Sequence, residues 1–307
     1  AASAQYATEP LLEAPYAAGA LAQGTLDNAL NTLNMYRYIV GIPSNVTLDA
    51  TYNQQCQAAC VVSAGNGKLN HYPTHPAGMG KALYDLGYAG ASHSNLSWGG
   101  AYGCSPADAV TMFMSDSDES NIAKVGHRWW CLNPAMQKTG FGFAGIYGAM
   151  YSADNAFGAN EYEAIAWPAA NTPVELFAAD DAWSVSGPWI DAKDSSVSVT
   201  LVRTRDGKTW NFSKTKADGF FGTDVGNNGQ LDRQMVIFRP DGVGSYADGD
   251  SFNVTVKTSS RTYSYTVNFF NVLKSDSISL MKWNGEQLQP TESSETMGAD
   301  GEADLVA

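Results

Sequence analysis

The side chains of this chain best able to bind a cation or move a proton near neutral pH are its four histidines, His71, His75, His93 and His127. His75 follows His71 by four residues, but Pro73 and Pro76 interrupt any helix, so the two share no helical face. A lone histidine is by default a satisfied polar residue, and spacing alone promotes none of the four. The run Asp116-Ser117-Asp118-Glu119 carries carboxylates that could ligate a cation, although such a run reads first as a solvated loop. Four cysteines, Cys56, Cys60, Cys104 and Cys131, all fall in the first half. In an exported chain an even number predicts disulfides, with Cys104 joined to the helix of Cys56 and Cys60 or to Cys131; the alternative is small buried thiols. A zinc site made of all four is disfavoured, because only Cys56 and Cys60 form a close pair. Trp129 and Trp130 could face a sugar or lipid, but read first as core. Ser94, His127 and Asp116 can be drawn as a triad, yet geometry defines a triad and sequence does not supply it. The chain has no Gly-x-Ser-x-Gly elbow, His-Glu-x-x-His helix or Gly-rich phosphate loop, which leans the reading away from an enzyme.

The elements that must position these residues fall into two textures. Leu26, Leu30, Leu33 and Tyr36 recur at helical spacing, ended by Gly41-Ile42-Pro43. Asp49 caps a second helix through Cys56 and Cys60, stopped at Gly65-Asn66-Gly67, and a short third helix spans 77–86. Ser105-Pro106-Ala107-Asp108 is a strong helix start, with Ser at the cap and Pro at the first position. Residues 139–144 and 149–152 read as two strands joined by a turn. The fold class is therefore α+β in the first half. After Trp167-Pro168 come short alternating runs (197/199/201, 252/254/256, 263/265/267/269) between Gly-, Asp- and Asn-rich turns, with Asp206-Gly207 as a hairpin signal. These predict a smaller all-β, Ig-like sandwich. The expected organisation is a lead-in over 1–21, a helical domain over 22–165, a β-sandwich over 166–275 and an acidic linker or tail over 276–307. A protease cut near Trp167–Val174 is expected to release two folded pieces.

Charge narrows the partners. The chain holds 31 acids against 18 bases, a net charge of −13. That disfavours nucleic acid and anionic membranes, both of which call for clustered Lys and Arg. No window approaches the roughly 20 apolar residues of a membrane span.

Several stretches, in order, resemble the bacterial branch of the CAP superfamily (cysteine-rich secretory, antigen five and pathogenesis-related proteins). They are Ala29–Arg37, Leu48-Asp49, Asn70-His71-Tyr72-Pro73, Ser94-Asn95-Leu96, Gly126-His127-Arg128 with Leu132-Asn133-Pro134, and Gly140-Phe141-Gly142-Phe143-Ala144. The resemblance implies an α-β-α sandwich with a shallow cleft where two histidines and two acids meet. By position the histidines are His71 and His127. One acidic position falls on Ser94, a departure from the pattern; the other, three residues after Phe113, falls on Asp116, with Glu119 as a competitor and His93 as a compensating neighbour. Two imidazoles and one carboxylate would hold zinc only weakly. Trp167-Pro168 and Ala182–Ser186 resemble a module that follows such domains. The resemblance implies a secreted or cell-surface protein that binds a small lipid, a sterol or a cell-wall glycan. A metal-dependent hydrolase using the histidine pair and a structural or adhesive surface module are the alternatives.

Overall fold

The computed structural model describes residues 5–99, 105–155, 162–226 and 233–272, and the backbone of 278–283 and 288–295. In chain order the first half contains β1 (Tyr6–Thr8), β2 (Ala20–Leu21), α1 (Gln23–Ile39), β3 (Thr47–Leu48), α2 (Ala50–Asn66), α3 (Lys81–Ser92), β4 (Ser94–Trp98), α4 (Pro106–Ser115), α5 (Gly126–Cys131), β5 (Lys138–Thr139), β6 (Phe141–Ala144) and β7 (Tyr147–Tyr151). The second half contains β8 (Ile165–Trp167), β9 (Asn171–Pro173), β10 (Trp183–Gly187), β11 (Ser198–Arg203), β12 (Thr209–Ser213), β13 (Gly219–Asp224), β14 (Gln234–Pro240), β15 (Ser251–Lys257) and β16 (Thr262–Phe270). A hairpin of β17 (Ile278–Trp283) and β18 (Leu288–Glu295) occupies part of the segment expected to be a linker or tail. The chain is thus a mixed α and β fold with five helices and several sheets among the described residues.

The start signals act as their chemistry requires. The Asp49 carboxylate accepts the Thr51 and Tyr52 amides at 2.9 and 3.2 Å, and Gly67 ends α2 in the left-handed region at φ 64°. Ser105 caps α4 by accepting the Asp108 amide. The third helix differs from its sequence reading. Pro76 and Gly78 (φ 78°) form a turn, so α3 starts at Lys81, and it runs on to Ser92 through Gly87 and Gly90.

The antiparallel sheet β4-β7-β6 lies between helices. A Cβ on Gly140 or Gly142 would fall 2.3 Å from the α2 backbone, so β6 packs directly on α2 through the Gly-x-Gly pattern. Phe141 and Phe143 point the other way, into a core shared with Leu33 and Tyr36 of α1 and with Val110 and Phe113 of α4.

In the second half two sheets, β13-β14-β10-β8 and β12-β11-β15-β16-β9, face one another as a sandwich-like pair. Trp183 lies at its centre, in ring contact with Phe238, Phe252 and Phe269, and its indole N–H donates to the Tyr246 hydroxyl at 2.8 Å. Gly207 (φ 71°) makes the Asp206-Gly207 turn between β11 and β12. The core does not stop at the texture change. Tyr36 meets Trp167 edge-on at 5.3 Å, Trp167 meets Phe177 and Phe177 meets Trp183, a continuous aromatic path from α1 into the sandwich.

Cys56, Cys60 and Cys131 are free and buried, whereas Cys104 lies outside the described residues. Burial pushes the Cys56 thiol up to about 12 and raises those of Cys60 and Cys131 as well, so all three are protonated and inert at neutral pH. No helix among the described residues is long and apolar enough to cross a membrane.

Candidate functional site

Helix α4 ends on Asp116, whose backbone is left-handed at φ 49°, a conformation Asp tolerates better than most residues. The turn carries the buried Asp116 carboxylate to the start of α5. There Oδ2 accepts the backbone amides of His127 at 2.9 Å and Arg128 at 3.3 Å, while Oδ1 accepts the His127 Nδ1–H at 2.8 Å. A carboxylate cannot donate, so Nδ1 carries the proton and the lone pair of neutral His127 is on Nε2. The Phe113 ring stacks on the imidazole at 5.3 Å. Asn95 of β4 fixes the same segment by donating to the His127 carbonyl at 2.9 Å. Just before it, Val125 sits at φ 40°, a strained position for a β-branched residue, and is held there by packing against Trp129, Ala182 and Ile237.

His71 arrives from the turn after α2. Its Nδ1–H donates to the Ala91 carbonyl at the end of α3, at 2.9 Å, which again leaves the lone pair on Nε2. The two histidines meet at one place. Two adjoining clefts, of about 520 and 310 Å³, share His71, Asn121 and His127 as common wall. The larger continues past Phe113, Ser97 and Trp98; the smaller passes Tyr72, Asn95, Lys124 and Trp130. Together they form one groove with the histidines at its middle. Trp98, 64 % exposed, stands in one arm, and Tyr72, 68 % exposed, in the other.

The remaining sequence candidates separate. Ser94 is buried, lines the smaller cleft and has its hydroxyl hydrogen-bonded to the Cys56 thiol. His93 lines the same cleft, with Nδ1 against the Ala89 carbonyl. His75 is outside both arms, stacked on Tyr84 at 4.3 Å. Glu119 is exposed and lines neither arm; its neighbour Asp118 lines the larger. Burial alone would raise the Asp118 carboxyl, but hydrogen bonds from Ser120 and Asn121 outweigh it and hold it below the usual range. Trp129 is core, as the default reading had it, and Trp130 reaches the groove. Sequence reasoning missed Trp98 and Asn121, which carry no motif, and took Tyr72 only as part of the stretch around His71.

As a zinc set these residues do not fit. Both Asp116 oxygens are engaged by His127 and Arg128, the Ser94 hydroxyl is engaged by Cys56, and Glu119 lines neither arm. No group of three or more His, Cys, Asp and Glu among the described residues is placed to hold a metal ion. What the groove offers instead is two imidazoles with Nδ1 held by hydrogen bonds and Nε2 left over, amide and hydroxyl groups, and flat aromatic faces. Arg128, buried next to His127, donates to the α4 carbonyls of Met114 and Ser115 and to Ala182 and Ser184 of the sandwich half, so the segment that carries His127 is tied to both halves.

Compared with models of protein families, with curated proteins and with solved structures, the chain matches none.

Proposed function

We propose that the protein binds a glycan of the bacterial cell wall in the His71–His127 groove, outside the cell, and acts by binding rather than by turnover. The observation that carries this reading is the pair of exposed aromatic rings, Trp98 and Tyr72, in the two arms of one open groove whose middle is polar. Sugar rings present C–H faces that stack on aromatics and hydroxyls that pair with amides and imidazoles, so such a groove suits them better than an enclosed apolar pocket would suit a sterol. Among the described residues, Lys124 is the only Lys or Arg in the lining, and with a net charge of −13 this favours an uncharged polymer over a polyanion. We further read the helical half as a CAP domain and the sheet half as an Ig-like sandwich. In support, the residues carried over by resemblance, His71, His127 and Asp116, line one cleft.

The test is calorimetry or tryptophan fluorescence with short β-linked oligomers of N-acetylglucosamine. His127→Ala and Trp98→Ala should each weaken binding about tenfold, the effect of 1.4 kcal/mol, while thermal stability changes little for Trp98→Ala. Binding carried by residues 166–275 alone would replace this reading with that of an adhesive module. A second reading, hydrolysis, draws on the Asp116–His127 hydrogen bond, which orients Nε2 to take a proton from water. It predicts release of new reducing ends that His127→Ala abolishes.

A further inference from the structure

Tyr72, which lines the smaller arm of the groove, stands beside Tyr88 of α3, which is 38 % exposed and whose ring centre lies 6.4 Å from that of Tyr72. Between residues 67 and 92, these two are the only large hydrophobic side chains that stand exposed among the described residues. Their backing is rigid. Tyr84, one helical turn from Tyr88 and 5.9 Å from it, is clamped by stacking on His75 and by donating its hydroxyl to the Pro73 carbonyl at 3.0 Å. Tyr72 is set by its amide, which donates to the Asn70 side chain at 2.9 Å, and by the proline that follows. The nearest charges on the helix, Lys81 and Asp85, pair with each other at 2.5 Å and leave the strip neutral.

Resting on the glycan reading of the groove, we infer that the binding path continues from the smaller arm across Tyr72 and Tyr88, and that the natural ligand is a linear, uncharged polysaccharide longer than the groove itself. Three features select that occupant. The strip is continuous with the groove through Tyr72, which belongs to both. It is aromatic without exposed aliphatic neighbours among the described residues, and two rings make a far smaller patch than a stable protein interface buries. Among the described residues, the only charges on α3 are the paired Lys81 and Asp85, so the strip lacks the cluster of Lys or Arg that an anionic lipid surface or a polyanionic polymer would call for. Flat rings with hydroxyl edges on a fixed backing match successive sugar faces at little ordering cost.

The experiment compares a short oligosaccharide, which fills the groove, with a long one of the same repeating unit. The wild-type protein should bind the long form on the order of tenfold more tightly than the short one. Tyr88→Ala, which changes a residue lining neither cleft, should erase that gain while leaving binding of the short form unaltered. Tyr88→Phe should retain it. Trp98→Ala should weaken both forms. If both lengths bind the wild type equally, or Tyr88→Ala keeps the full gain, the strip is not part of the path, although the groove reading survives. If neither length binds, both readings fall together. Binding to vesicles of neutral phosphatidylcholine that Tyr88→Ala abolishes would overturn the polysaccharide in favour of a lipid surface.

Discussion

Asp116 joins three tasks in one side chain: it ends α4, receives the first amides of α5 and fixes the tautomer of His127. Asp116→Asn isolates the last of these, because Asn is equally at ease in the left-handed region and keeps the shape. With its amide oxygen on the His127 backbone N–H, the amide nitrogen must face Nδ1, which can then only accept. The proton therefore moves to Nε2 and the groove loses its lone pair. We expect nitrogen NMR of the imidazole to show the opposite tautomer, and the denaturant midpoint to fall by an amount worth about 1–3 kcal/mol. An unchanged tautomer in the variant would show that Asp116 does not orient the ring. At this scale the resemblance names His71, His127 and Asp116, and the structure brings these three to one cleft. Trp98 and Tyr72 as exposed platforms were not legible in the sequence, because periodicity tells which face of an element is buried but says nothing of a ring at a strand end or in a turn.

Among the elements, glycine was the residue most easily misread. The third helix expected over 77–86 leaves Gly87 and Gly90 outside it. In fact they are contact points where α3 lies on α2. A Cβ on Gly90 would fall 2.1 Å from the Gln55 carbonyl oxygen and one on Gly87 2.7 Å from that of Ala58. Helix backbones can approach this closely only where side chains are missing. Gly90→Ala should therefore destabilise the protein by about 3 kcal/mol or more, since backbone and not a flexible side chain must yield. Gly24→Ala is the control. It lies in α1 with nothing within 4 Å, and should stabilise by roughly 0.5–1 kcal/mol. Denaturant midpoints of the two variants measure both effects, and equal small shifts would disprove the contact. Caps were easier: Asp49 and Ser105 bond to their own neighbours, so local sequence suffices. Helix α5 was missed because six residues are too few to show a period.

For the whole molecule the question is whether the two textures are two independent bodies. The alternating strands after Trp167 were readable, and the hairpin at Asp206-Gly207 with them. The joint was not, since it is made by residues distant in sequence. Two buried guanidinium groups make it, and a third, Arg37, braces the helical side. Arg128 ties the end of α4 to Ala182 and Ser184 of the sandwich half. Arg233, at the foot of β14, donates back to the carbonyls of Leu132 and Trp129 and lies over the Trp129 ring at 4.7 Å. Arg37 of α1 reaches the carbonyls of Cys131 and Asn133 from the other side. Cations here meet the negative end of α5 and the loop after it. Around them Ile122, Val125 and Trp129 pack against Ala182, Met235 and Ile237. Trp167, between the halves, is fully buried. A protein joined in this way should unfold in a single transition, with tryptophan fluorescence and far-UV circular dichroism coincident. Arg128→Met should move that transition as a whole, by roughly 3 kcal/mol, because it leaves buried carbonyls on both sides without a donor. Limited proteolysis should spare 167–174 until the molecule unfolds. Two separated transitions, or a cut there that releases two folded pieces, would show instead that the halves are independent and that the groove does not depend on the sandwich half.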